Sequence, residues 1–283
     1  MSAGEHTHHA RSTPLLIAHI TDTHITPPGR LLAGRLDSAA RLAQAVRTIQ
    51  ALDVAPDCVL ATGDLADRGE PEAYALLRAT LAPLAMPVYA IPGNHDRREA
   101  MRQAFSDCDW MPRATGAPLC YDVRVGDLAL IALDSLVEGE DHGLLGEAQL
   151  DWLEQRLAAA RARPVVVMLH HPPVTSGIAI MDMMKLRDAD RLGAIVARHP
   201  NIERILCGHL HRSMHLRWRG TVVSVPSSTV EQVHLGLAPD AALATIQEPP
   251  GLQLHYWIPG QGLVTHNVPI GAFAGPFYPY QAC

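Results

Sequence analysis

The chain has 283 residues, 48% of them hydrophobic and 18% charged, which suffices for one large α/β core with a small accessory segment. Its net charge of −6 comes without a dense Lys/Arg block, which argues against a general nucleic-acid binder, and no apolar run approaches the roughly eighteen residues that span a bilayer. The five cysteines are scattered, odd in number and without C-x-x-C spacing, so neither a disulfide framework nor a structural zinc ribbon is expected.

Residues 1–13 lack a basic region followed by an apolar run; they read as a disordered leader without a secretion signal, so the expected address is cytoplasmic. The run LLIAHI (15–20) predicts a strand buried on both faces, and TDTH places Asp22 and His24 just beyond its end. Ala39, Ala40, Ala43, Val46 and Ile49 then recur at spacings of three and four, the face of a helix. The strand CVLAT (58–62) runs into GDLADRG and Asp64, and VYAI (88–91) runs into PGNHD, with Asn94, His95 and Asp96. YDVRVGDLALIAL reads as two strands around Gly126-Asp127, a hairpin that makes the sheet mixed.

From Gly146, the positions Leu150, Leu153 and Leu157 predict a second helix. VVVML (165–169) ends in His170 and His171, RILCG (204–208) ends in GHLH with His209 and His211, and TVVSV (221–225) is the last clear strand. Strands alternating with helices predict a layered α/β sheet over 14–230. The segment 231–283, rich in Pro and Gly and without helical period, is expected to be a small cap or oligomer contact packed on the core.

Ligands of open α/β sheets collect beyond the carboxyl ends of the strands. Five such ends deliver Asp, His and Asn. Asp22/His24 and His209/His211 are spaced by two, which in an extended backbone points both side chains to one side. Imidazole with carboxylate and amide oxygen suits iron, manganese, zinc or cobalt better than calcium. One tetrahedral site takes three or four protein ligands, yet seven candidates converge. Two divalent ions about 3.5–4 Å apart use them all. The expected sets are Asp22, His24 and His211 for one ion and Asn94, His170 and His209 for the other, with Asp64 as the bridge.

Two such ions, two carboxylates and a bridging hydroxide leave the site at about +1, which attracts an anionic phosphoester. The hydroxide would attack phosphorus in line, with no serine or cysteine nucleophile. His95 is the candidate for contacting the phosphoryl oxygen or protonating the leaving group, and Asp96 for orienting that imidazole from behind. His171 would either cap its loop or touch substrate. The methionine-rich IMDMM (180–184) would be core or an apolar substrate wall, and His19 and His255 satisfied core or surface residues.

The ordered motifs D-x-H, G-D-x-x-D, G-N-H-D, a lone His after a strand and G-H-x-H resemble the calcineurin-like metallophosphoesterase family over about residues 15–226. That resemblance implies a four-layer α/β/β/α sandwich of two mixed sheets with a dinuclear metal site at one edge. MLHHPPV, CGHLH and the tail AGPFYPY (274–280) are similar to the bacterial glycerophosphodiesterase and class III cyclic-nucleotide phosphodiesterase branch. The likeness implies a cytoplasmic hydrolase of small phosphodiesters, assembling as a homodimer or higher homo-oligomer, with no nucleic-acid polymer or membrane as partner. Two positions depart from that branch. Arg68 stands where phosphoprotein phosphatases place a phosphate-binding Arg, and Glu231 stands where a His is expected. A phosphomonoesterase or phosphoprotein phosphatase, or a non-catalytic scaffold of the same fold, are the alternative readings.

Overall fold

The computed structural model describes residues 13–278; residues 1–12 of the leader expected over 1–13 and the last part of the tail, 279–283, lie outside the described residues. In chain order the first half runs β1 (Leu15–Ile20), α1 (Ser38–Gln50), β2 (Cys58–Thr62), α2 (Pro71–Leu81), β3 (Val88–Ile91) and α3 (Arg98–Ala104). Then follow β4 (Tyr121–Val125), β5 (Leu128–Ala132), α4 (Gly146–Ala159), β6 (Val165–Met168), α5 (Ala179–Asp182), α6 (Ala189–Val196) and β7 (Ile202–Leu206). The last elements are β8 (Met214–Trp218), β9 (Thr221–Val225), the short β10 (Gln232–Val233) and β11 (Thr245–Ile246), and the long β12 (Gly251–Ile258) and β13 (Gly262–Pro269).

Two mixed sheets face each other, ordered β13-β12-β1-β2-β3 and β4-β5-β6-β7-β9-β8. Strands buried on both faces explain the nearly continuous apolar runs. Along β1, Ile17 points between the sheets while Ala18 and Ile20 meet the helices; along β6, Val166 and Met168 point inward and Val165 and Val167 outward. α1, α2 and α3 cover the outer face of the first sheet and α4 and α6 that of the second, giving four layers. The Asp37 carboxylate caps α1, accepting from the Ala40 N–H at 2.9 Å. Pro71 starts α2, where its missing N–H costs nothing. The hairpin at Gly126-Asp127 pairs β4 with β5 in antiparallel register.

The sequence pattern showed no strand beyond 225, yet β12 pairs antiparallel with β1 and β13 with β12, so 251–269 completes the first sheet. These strands were hidden because their inward positions are polar: Gln253 and His255 are fully buried between Leu252 and Leu254 of the helix-facing side and Trp257. β1-β2-β3 and β5-β6-β7-β9 run parallel, so their carboxyl ends gather at one edge. Among the described residues no helix is long and apolar enough to cross a membrane.

Candidate metal centre

At that edge the loops after β1, β2, β3, β6 and β7 bring together all seven expected ligands. The backbone there is not extended, which corrects the reason given for the convergence of the spaced pairs. Asp22, His24, Asp64, His209 and His211 have φ of 53°, 41°, 49°, 70° and 48°, the left-handed region that costs a non-glycine residue of order 1–3 kcal/mol. Hydrogen bonds hold this strain in place. The N–H of Asp22 donates to the Gly63 carbonyl at 3.1 Å and that of His24 to the Asp64 carbonyl at 2.9 Å, lacing the first two loops together. A Cβ at Gly93 would collide with the Asp64 carboxylate and the His170 ring, so only glycine lets the third loop approach.

The donors fall into two sets. His24 Nε2 lies 3.1 Å from His211 Nε2, which is 3.4 Å from Asp22 Oδ1. Asn94 Oδ1 lies 3.1 Å from both His170 Nε2 and His209 Nδ1. Asp64 Oδ2 is common to them, 3.6 Å from His24 Nε2 and 3.4 Å from His170 Nε2. Its other oxygen is taken by the His95 N–H at 2.9 Å.

Proton accounting tests whether these residues fit metal ions. A backbone carbonyl only accepts, so His170 Nδ1, 2.7 Å from the Thr62 carbonyl, and His211 Nδ1, 2.9 Å from the Glu231 carbonyl, must carry hydrogens. A neutral ring then turns a bare Nε2 into the cluster, against the Asn94 oxygen for His170 and against another imidazole for His211. Lone pair facing lone pair is reconciled by a cation between them, so the donor set fits. Without a metal ion, a proton takes that place. Burial alone would push the His170 imidazole down, but Asp64 and Asp22 raise it to about 9, while burial and the neighbouring Asp64 raise Asp22 to about 6. The cluster draws positive charge to itself.

His95 stands beside these sets with its side chain 40% exposed, at a cavity of about 280 Å³ that Asp67, Arg68, Asn94, Glu140 and Asp141 also line. Burial disfavours its charged form, but Asp64 and Asp67 outweigh that and raise its pKa. Asp96 is not behind it. That carboxylate is fully buried and accepts from the N–H groups of Leu65, Ala66 and Gly93 and from the Tyr74 hydroxyl at 2.7–3.0 Å, clamping the loops after β2 and β3. Asp67 holds His95 instead: its carbonyl accepts from His95 Nδ1 at 2.8 Å, and its carboxylate lies 3.4 Å from His24 Nδ1. The substitution Asp96→Ala would leave three buried N–H groups unsatisfied and is expected to lower the unfolding free energy by about 3 kcal/mol, measured by urea denaturation.

His171 is not among the residues lining that cavity. It is fully buried, paired through Nδ1 with Ser135 Oγ at 2.8 Å, with its ring 4.8 Å from that of His209. Arg68 is at the cavity rim, its side chain 75% exposed and its Nε 3.6 Å from Asp67 Oδ2. Glu231 pairs its carboxylate with Arg35 at 2.7 Å and lends the site only its carbonyl. The methionine stretch divides: Met181 packs in the core under α4 and α6, whereas Met183 is 65% exposed. Asp67 is marked in the sequence by its place in G-D-x-x-D, as either an ion-pair partner of a neighbour or a phosphate contact, whereas the Thr62 and Glu231 carbonyls carry no side-chain signal.

A family model described as calcineurin-like phosphoesterase matches residues 15–213. The protein named "Probable glycerophosphodiester phosphodiesterase GpdQ" from Arcobacter nitrofigilis is 36% identical over 267 residues, covering 94% of this chain and 97% of its own. The 3',5'-cyclic adenosine monophosphate phosphodiesterase CpdA of Escherichia coli is 34% identical over 220 residues, 76% of each chain. Among solved structures, a dimetal phosphatase from Danio rerio superposes with a TM-score of 0.61 at 16% identity over 91% of this chain and 99% of that one, which shows a shared fold.

Proposed function

Since the chain belongs to the calcineurin-like phosphoesterase family, we propose that it is a dinuclear-metal phosphodiesterase hydrolysing a small diester, either a glycerophosphodiester or a 3',5'-cyclic nucleotide. The observation that carries this reading is the division of the donors into two sets that share Asp64 Oδ2. Asp22, His24 and His211 would hold one divalent ion and Asn94, His170 and His209 the other, with iron, manganese, zinc and cobalt all suited to the mixture. Such a pair, when bound, supplies positive charge for the phosphoryl oxygens and lowers the pKa of water toward about 7.

The protein's own groups do the rest. Asp22 is fixed by the His209 N–H at 3.1 Å, and Asp67 fixes both His24 and His95, so the donors are oriented before substrate arrives. Because His95 Nδ1 is committed to the Asp67 carbonyl, Nε2 is the nitrogen free to serve substrate. In the cationic ring it donates to a phosphoryl oxygen or gives its proton to the departing alkoxide. Arg68, exposed at the rim, adds attraction for an anion. The activities named for the relatives favour a diester over a monoester. The exposed aromatic tail, with Phe273, Phe277 and Tyr278, supports assembly of a homodimer or higher homo-oligomer.

The test is hydrolysis of bis(p-nitrophenyl) phosphate before and after chelation. Turnover should vanish with the metal and return on adding Mn²⁺ or Co²⁺. A protein shown to carry two ions per chain that cleaves no diester would end the proposal.

A further inference from the structure

The layer between the sheets changes character along the strands. Leu15, Ile17 and Leu60 fill its far end with apolar side chains, but toward the metal centre the same inward alternation sets His19 on β1 and Thr62 on β2, with His255 on β12 beside them. Both imidazoles are fully buried and neither has a part in the proposed reaction. They are linked in a chain. Thr265 Oγ1 lies 2.9 Å from His255 Nδ1, His255 Nε2 lies 3.2 Å from His19 Nδ1, and His19 Nε2 lies 2.8 Å from Thr62 Oγ1. Thr62 Oγ1 is 2.9 Å from Thr21 Oγ1, which is 3.3 Å from the Thr62 carbonyl, the same carbonyl that accepts from His170 Nδ1 at 2.7 Å.

Chemistry permits one direction for the hydrogens. The carbonyl only accepts, so the Thr21 hydroxyl donates to it and must itself accept from the Thr62 hydroxyl. Thr62 Oγ1, its hydrogen committed, accepts from His19 Nε2–H. A neutral His19 then has a bare Nδ1, which accepts from His255 Nε2–H, and the bare His255 Nδ1 accepts from the Thr265 hydroxyl. Burial keeps both rings neutral, pushing His19 down to about 3 and His255 well below its ordinary value, the latter helped by the nearby His19, Arg204 and His215. Every donor meets an acceptor, and aligned bonds in a dry layer strengthen one another.

We propose that His19 and His255 are positioning residues of the metal centre: their one-way hydrogen-bond chain aims the Thr62 carbonyl, which holds the His170 hydrogen on Nδ1 and keeps Nε2 free for an ion. Two buried imidazoles are an expensive way to fill a layer that leucine and isoleucine fill elsewhere, and their link to a ligand gives them a use. This inference rests on the metal reading above.

The test compares Thr62→Val, which removes the hydroxyl but keeps the carbonyl, with Thr62→Ser, which keeps both, and with His19→Leu. Mn²⁺ affinity and stoichiometry by titration calorimetry, and thermal unfolding of the metal-free proteins, are the readouts. Thr62→Val and His19→Leu should bind an ion about 10–100-fold more weakly, and Thr62→Ser should match the unsubstituted protein. Wild-type Mn²⁺ affinity in both Thr62→Val and His19→Leu, with only the unfolding temperature moved, overturns the proposal and reduces the chain to packing. Should His19→Leu fail to fold, the Thr62 pair decides; should Thr62→Val fail, His19→Leu against the unsubstituted protein decides. An unsubstituted protein that binds no Mn²⁺ defeats the metal reading instead, a distinct outcome.

Discussion

Asp64→Ala is expected to abolish stable binding of both ions together and to reduce diester hydrolysis by about a thousandfold or more, since the charge stabilisation lost is several kcal/mol. Asp64 Oδ2 faces both donor sets, 3.6 Å from His24 Nε2 and 3.4 Å from His170 Nε2. Stability separates this effect from misfolding. In the metal-free protein the buried Asp64 carboxylate repels Asp22 but attracts His170, His95 and His24, which hold its own pKa well below the usual carboxylate range, so the unfolding of metal-free Asp64→Ala is measured beside its metal uptake. Adding metal should raise the melting temperature of the unsubstituted protein by mass action and leave that of Asp64→Ala unmoved. A variant that takes up two ions and keeps its turnover would show that the centre is not built around this carboxylate.

His95→Ala should act on a different quantity, lowering kcat by about 10²–10⁴-fold with two ions still bound. Its imidazole belongs to neither donor set. It packs edge-on against His24 at 4.6 Å and is held through Nδ1 by the Asp67 carbonyl, so its loss removes a proton donor from the cavity without removing a ligand. Metal analysis beside steady-state kinetics on bis(p-nitrophenyl) phosphate checks both halves. Loss of metal in parallel with activity would reassign His95 to holding the centre, and an unchanged kcat would remove it from the chemistry.

The strands that carry the donors were legible because burial on both faces leaves unbroken apolar runs. LLIAHI, CVLAT and VYAI coincide with β1, β2 and β3 to the residue. α2, α3 and α6 were harder to see: their buried faces are short, as in Ala73, Tyr74, Leu77 and Leu81 of α2, and leave little period to detect. β12 and β13 were hidden for the opposite reason, since their inward residues are polar and pair with partners on distant strands.

Composition and motif spacing are local properties of the chain, and they were enough to pick seven residues that the fold gathers at one edge and the order in which strand ends supply them. Orientation is not local. The left-handed turns at Asp22 and His24 exist because carbonyls of the next loop hold them, Asp67 rather than Asp96 stands against His95 because Asp96 is drawn into the clamp of backbone N–H groups, and His170 presents Nε2 because a carbonyl from another sheet takes its Nδ1 hydrogen. Apart from the Gly93 N–H, three residues before Asp96, these contacts join groups far apart in sequence, and a backbone carbonyl is the same in every residue, so only the assembled fold could say which one would be there.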